Sequence, residues 1–344
     1  MIPSRRASVV RASIARHSSN RSEPLALLQR LQRAALAESV TLCERVQSLW
    51  GGYGELWRAE LRTRDAVTSV VVKHVRPPTD DGSRSHRRKL RSYAVEACFY
   101  RDYAGRSADA PRCRVPRLLY AASEEGGALL VLEDLDRAGF SQRRTQASPT
   151  DIQATLRWLA RFHARFLGTT PDGLWKVGTY WQLATRPEEL AAMQQPALRK
   201  AAPALDAALN AARFKTFVHG DAKLENVCFS TAADEVALVD FQYVGGGVGV
   251  KDVAYFLSSC LAPSACAASV PGYLDDYFSE LAGAVRAGES GVDPRELERE
   301  WRELFPLAWV DFYRFLLGWA PGQYDRDPYS EQLLRGVLAR FTSA

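Results

Sequence analysis

The rhythm of hydrophobic and polar positions changes twice along the chain, and each change predicts a different kind of element. Residues 24–38 (PLALLQRLQRAALAE) carry apolar residues at helical spacing behind Pro24. Segments 41–50, 55–62 and 69–75 are then short and β-rich, divided by Gly51-Gly52-Tyr53-Gly54 and by a charged turn, RTRDAV. The third run, SVVVKHV, is β-branched and stops before Pro77-Pro78. Short runs parted by tight turns predict an antiparallel meander. Residues 84–104 predict a helix, and 116–123 and 127–132 two more strands around an EEGG turn.

Beyond residue 135 the period is mainly helical. Ser148-Pro149-Thr150-Asp151 predicts a helix start, with Ser as cap, Pro at the first position and an acid at the third. That helix should run to Leu167, before Gly168. Ala- and Leu-rich sequence predicts more helix over 188–213. Short strands are expected at 216–218, 226–229 and 236–240, with a polar loop at 219–225 and a Gly-rich loop at 245–249. The uncharged stretch Val253–Leu274 reads as a buried helix plus a loop, and turns are expected at Pro271-Gly272, Pro294 and Pro321-Gly322. The pattern therefore predicts an α+β fold of two lobes. Residues 24–135 form a small antiparallel-sheet lobe with a leading helix, and 136–344 a larger, mostly helical lobe.

Composition changes the picture only at the N-terminus. A hydrophobic content of 47% and a charged content of 25% are ordinary for a globular chain. No run of 18 apolar residues is present, so a membrane span is not expected. The net charge is +5, and Arg5, Arg6, Arg11, Arg16 and Arg21, with no acid among residues 1–22, account for all of it. The body is then neutral overall, which argues against a nucleic-acid footprint. Residues 1–23 read either as a disordered basic extension or as an Arg- and Ser-rich transit peptide. The six cysteines are scattered with no CxxC pair, which argues against a zinc site and a disulfide framework. Free thiols suit a cytoplasmic location, with organelle import if the N-terminus is a transit peptide. No obligate protein partner is evident.

The chemistry concentrates in Phe217–Phe229, which holds His219-Gly220-Asp221 and, five residues after the Asp, Asn226. Fourteen residues further on, an apolar run delivers Asp240-Phe241-Gln242. Phosphoryl transfer needs a carboxylate that orients the attacking hydroxyl and takes its proton, and oxygen ligands for Mg²⁺ that bridges the ATP phosphates. Hard oxygens suit Mg²⁺. One loop with Asp and Asn, and a second Asp at the next strand end, supply these groups.

These residues resemble the catalytic loop and metal segment of the kinase-like phosphotransferases: aminoglycoside phosphotransferases, choline/ethanolamine kinases and the ecdysteroid-kinase-like (CHK-type) group. HGDAKLEN, VDFQ and KDVAYFL look closest to the last group, over about residues 40–320. The resemblance implies a protein-kinase-like fold that uses ATP and Mg²⁺ to phosphorylate a small-molecule alcohol. It implies Asp221 as catalytic base, Asn226 and Asp240 as metal ligands, His219 as loop support and Asp252 as loop anchor. Lys223 matches a catalytic-loop Lys that neutralises the γ-phosphate, or is simply solvated. Lys73 in VVVK matches the Lys that contacts the α- and β-phosphates and pairs with a helical Glu. Glu96, 23 residues later, is the only acid in its helix before Asp102. Gly51, Gly52 and Gly54 lie where such folds cover the phosphates, although a plain hairpin also wants Gly. Backbone groups around Glu133, Asp134 and Leu135, in LVLEDL, would bond the adenine edge.

Three further features are open. Trp301, Phe305, Phe312, Leu316 and Trp319 share a helical face as a core stripe or an aromatic wall for the acceptor, with Pro306 expected to kink or break the helix. Asp311, Tyr324, Asp325 and Asp327 would bind a cation or hydroxyls, or form a solvated turn. His163 reads as a packing residue and Arg84–Arg91 as a solvated helix start. The rival functions are a protein kinase, an aminoglycoside-resistance kinase and a non-catalytic nucleotide-binding module.

Overall fold

The computed structural model describes residues 27–32, 37–105, 113–124, 127–232, 234–288, 290–324 and 327–342. The basic N-terminal extension and Asp325 lie outside them, as do parts of the leading helix.

Five antiparallel strands build the first lobe: β1 (Ser39–Ser48), β2 (Gly54–Arg62), β3 (Val67–Val75), β4 (Leu118–Glu124) and β5 (Gly127–Glu133). Their order is β1-β2-β3-β5-β4. The connection from β3 to β4 carries α1 (Arg84–Asp102), whose N-cap Ser83 accepts a hydrogen bond from the His86 N–H at 2.9 Å. Side chains alternate across a strand. Val70 and Val72 of β3, with Leu129 and Val131 of β5, therefore face one way and pack with Leu27 and Leu31 of a helical turn at 27–32. Lys73 and Val75 face the other way, toward α1.

The second lobe holds α2 (Pro149–Arg165), α3 (Pro187–Ala192), α4 (Pro196–Asn210), α5 (Val250–Cys260), α6 (Pro263–Ala287), α7 (Pro294–Trp319) and α8 (Pro328–Thr342). Four three-residue strands interrupt the helices: β6 (Thr216–Val218), β7 (Val227–Phe229), β8 (Val236–Leu238) and β9 (Gly245–Gly247). β7 pairs with β8, and β6 with β9. The expected start of α2 is a full capping box, in which Ser148 and Asp151 bond each other's backbone N–H. This is the α+β, two-lobed architecture the sequence predicts.

Three local expectations are corrected. Pro271-Gly272 is no turn but lies inside α6, and α7 runs through Pro306 without a break. A proline forfeits one helical hydrogen bond, and burial of Val270, Tyr277 and Phe278 on one side and of Phe305 and Leu307 on the other holds each helix together. The Gly-rich loop begins as strand β9. A Cβ on Gly245 would stand 2.2 Å from the Trp175 carbonyl oxygen, because segment 175–178 runs against it and bonds Val244 and Gly246. The glycines there admit a neighbouring backbone.

Candidate active site

The Asp221 loop hangs between β6 and β7 and is fixed by one buried carboxylate. Asp252, in the first turn of α5, accepts the His219 N–H at 2.5 Å, the Gly220 N–H at 2.9 Å and His163 Nε2 at 3.1 Å. His163 bonds Tyr277 through Nδ1, so this histidine supports the loop from behind. The His219 ring bonds the Val239 carbonyl through Nε2 and accepts the Asp221 N–H at Nδ1. Those partners select the neutral tautomer with the proton on Nε2, and burial depresses the ring's basicity. Gly220 has φ +80°, and a Cβ there would lie 2.2 Å from the Tyr243 carbonyl oxygen. Only glycine fits where these backbones cross.

The Asp221 carboxylate is buried and held on both oxygens. Tyr255 donates to Oδ1 at 3.1 Å, Asn226 Nδ2 donates to Oδ2 at 3.0 Å, and Lys223 Nζ lies 3.7 Å from Oδ2. Burial pushes its pKa up to about 6, against the opposing effect of Lys223. Lys223 in turn is held above the ordinary lysine value by Asp221. Tyr255 was not anticipated. It lies three residues after Asp252 on the same helix, so the spacing that directs Asp252 at the loop also directs Tyr255 there.

The β7–β8 hairpin sets Asp240 beside Asn226, because the Val239 N–H bonds the Asn226 carbonyl at 3.1 Å. Asp240 has φ +70°, an uncommon conformation for a non-glycine residue. Its Oδ1 accepts Lys73 Nζ at 3.2 Å, and Lys73 also pairs with Glu96 at 2.6 Å. Burial works against the charge on Lys73, but Asp240 and Glu96 outweigh it and raise its pKa. Burial pushes Glu96 up, with Lys73 opposing. Asp240 is held low, because Lys73 and then Lys223 overcome its desolvation. Phe241 stacks on Phe99 of α1 at 4.0 Å and lies 4.6 Å from the His219 ring. That stack ties the helix bearing Glu96 to both loops.

Asn226 commits Nδ2 to Asp221, and among the described residues neither Asn226 Oδ1 nor Asp240 Oδ2 has a hydrogen-bond partner. Two hard oxygens beside a lysine are the donor set a magnesium–nucleotide complex takes.

The remaining expected residues stand at two edges of this cluster. Gly51 and Gly52 form a tight turn with φ +70° and +78°, and Gly54 opens β2 with φ +128°. Tyr53 between them is buried and bonds His86 of α1 at 2.6 Å. At the end of β5, the Glu133 carboxylate bonds Arg114 and the Arg117 N–H, which outweigh burial and lower its pKa. Asp134 accepts from Arg58 and Ser69, and Leu135 packs on Phe140, Cys228 and Ala237.

Other candidates stand elsewhere. Asp311 is buried and bonds Trp181 and Arg314, with Lys251 3.6 Å away, so it belongs to an internal network rather than a solvated turn. Asp327 bonds Ser330 in the first turn of α8. Trp301 and Phe305 are core, Phe312 and Leu316 pack around Trp181, and Trp319 is exposed. The Arg84–Arg91 run is not simply solvated: Arg88 bonds the Thr185 carbonyl and Arg91 those of Gly173 and Leu174.

Residues 47–288 match the family model described as "Phosphotransferase enzyme family". Among solved structures, an aminoglycoside-3'-phosphotransferase of type VIII is 18% identical over 81% of this chain and 99% of that one, with a TM-score of 0.42. A microcompartment-associated aminopropanol kinase is 13% identical over 92% and 95%, with a TM-score of 0.46. No curated protein matches the sequence.

Proposed function

The chain belongs to the phosphotransferase enzyme family, and we propose that it moves the γ-phosphoryl group of ATP to the hydroxyl of a small molecule, within the ecdysteroid-kinase-like (CHK-type) group. The observation that carries this reading is the convergence of Asp221, Asn226, Asp240 and the Lys73–Glu96 pair on one interlobe cluster. In the reaction, the acceptor oxygen bonds to the γ-phosphorus as the bond to the β–γ bridging oxygen breaks, and ADP leaves. The acceptor proton passes to Asp221 Oδ1 or Oδ2. Tyr255 and Asn226 hold that carboxylate still, so its lone pairs meet the hydroxyl without reorganisation. Lys73 orients the α- and β-phosphates and Lys223 faces the γ-phosphate. Asn226 Oδ1 and Asp240 would hold Mg²⁺, which neutralises charge on the phosphates when bound. The turn at Gly51–Gly54 covers the phosphates, and the backbone of Glu133–Leu135 receives the adenine edge.

The experiment is thermal unfolding of the full chain with ATP and Mg²⁺, with and without chelator. Ligand at about 100 times its Kd stabilises by roughly 2.7 kcal/mol. A Mg²⁺-dependent rise in Tm is expected. No rise, in a chain that unfolds cooperatively, rejects the reading.

A further inference from the structure

Beside the Asp221 loop lies a cluster that holding nucleotide and metal does not need. Segment 179–186 crosses the loop, with the Tyr180 N–H bonded to the Gly220 carbonyl at 3.1 Å. The Tyr180 ring packs 5.5 Å from Tyr255, whose hydroxyl reaches Asp221. Tyr243 lies 6.0 Å and Phe315 5.2 Å from the same ring. Tyr180 and Tyr243 are half-buried and form a wall beside the Asp221 carboxylate, backed by the buried Tyr255 and Phe315.

Two guanidinium groups stand over that wall. Arg186 is centred 5.8 Å from the Tyr180 ring and 5.2 Å from Phe315, and pairs with Glu189 at 3.0 Å. Arg88 reaches in from α1 and, among the described residues, bonds neutral oxygens: the Thr185 carbonyl, the Ser85 hydroxyl and the Tyr243 hydroxyl. Its Nε is buried with no hydrogen-bond partner. Arg186 thus has a carboxylate partner, whereas Arg88 has none among the described residues. Their proximity shows on Arg186, whose pKa is depressed by burial and then by Arg88. An unpartnered buried N–H is costly, and a guanidinium fork matches a planar carboxylate.

We propose that the acceptor alcohol carries a carboxylate, bound between Arg88 and Arg186, on a planar or apolar body lying against Tyr180 and Tyr243, with its hydroxyl at Asp221. This rests on the phosphotransferase reading above and names its substrate class. A cationic acceptor would meet two like charges here. Arg88 comes from the sheet lobe and Arg186 from the helical lobe, so one carboxylate spans both.

The test uses the full chain with Mg²⁺ and ADP, and three probes that share one ring and one hydroxymethyl group: 4-(hydroxymethyl)benzoate, its methyl ester, and 4-(aminomethyl)benzyl alcohol. Binding is measured by titration calorimetry. The carboxylate should bind about tenfold tighter than either other probe, the worth of one charge-assisted hydrogen bond. Arg88→Gln and Arg186→Gln should each erase that preference with ADP affinity intact, and Arg186→Lys should keep part of it. Equal or tighter binding of the ester or amine, absence of binding by all three, or a preference that survives both glutamines overturns the proposal. So does a loss of ADP affinity with the preference unchanged, since the arginines would then serve the nucleotide. Failure of the wild-type chain to bind Mg²⁺–ADP would instead strike the phosphotransferase reading.

Discussion

Asp252→Asn isolates the part of the site that is pure scaffolding. The wild-type carboxylate receives three donors at 2.5, 2.9 and 3.1 Å in a fully buried setting. Asparagine keeps one oxygen and replaces the other with an NH₂ group, which opposes a donor. At least one buried N–H loses its acceptor, at about 1–3 kcal/mol, and the surviving bonds lose their charge assistance, at about 1 kcal/mol more. The site also forfeits a favourable charge in the first turn of α5, worth about 0.3–1 kcal/mol. The sum is a loss of about 3 kcal/mol, to be read by urea denaturation. The two backbone donors belong to His219 and Gly220, so the loop bearing Asp221 shifts with them. A misplacement of about 1 Å costs about 10²-fold in turnover, read as ADP release. Stability within about 0.5 kcal/mol of wild type, the range of an indifferent substitution, with turnover unchanged, would refute the anchoring argument.

Two further outcomes follow from the charges in the site. Burial raises Asp221 to about 6, so the carboxylate is protonated and useless as a base on the acid side. The expected kcat/KM rises about tenfold per pH unit up to about pH 6 and then levels. Asp221→Asn should cut turnover about 10²–10⁴-fold and flatten that profile, and an unchanged profile in the variant would exclude Asp221 as the titrating base. Lys73→Met leaves Glu96 and Asp240 without their shared cation and should cost about 3 kcal/mol of stability together with ATP affinity. The double variant Lys73→Met/Glu96→Leu should recover stability but not ATP binding, as read by denaturation and nucleotide titration. Recovery of ATP binding would exclude a phosphate contact by Lys73.

What sequence could reveal followed the range of each interaction. The sheet lobe was legible because short β-rich runs such as SVVVKHV, parted by tight turns, are a local property, and the start of α2 because a capping box spans only four residues. The Lys73–Glu96 pair could be anticipated because its helix offers few acids. Tyr180, Arg186 and Arg88 carried no local signal. Their meeting depends on segment 179–186 crossing a loop about 40 residues away in the chain, with α1 arriving from the other lobe. Pro271 and Pro306 were misjudged for the same reason: the packing that keeps their helices intact comes from distant elements. The strand at Gly245–Gly247 was hidden because its partners are the backbones of Trp175–Gly178 and β6, neither of which its own composition can announce.

The aromatic stack of Phe99, Phe241 and His219 restricts how sequences of this kind can drift. Phe241 is fully buried, 4.0 Å from Phe99, with Phe162 and Trp158 also within 6.4 Å. A smaller residue at 241 opens a cavity under the Asp240 backbone, while a larger one pushes against α1 and the His219 ring together. Neither change is neutral unless position 99 or 162 answers it in the same lineage. Substitutions at 99, 162 and 241 should therefore co-vary among descendants of this chain, even though none of these side chains supplies a charge or a metal ligand. A survey of variants that counted only the polar residues of the cleft would pass over the positions where inheritance is most constrained.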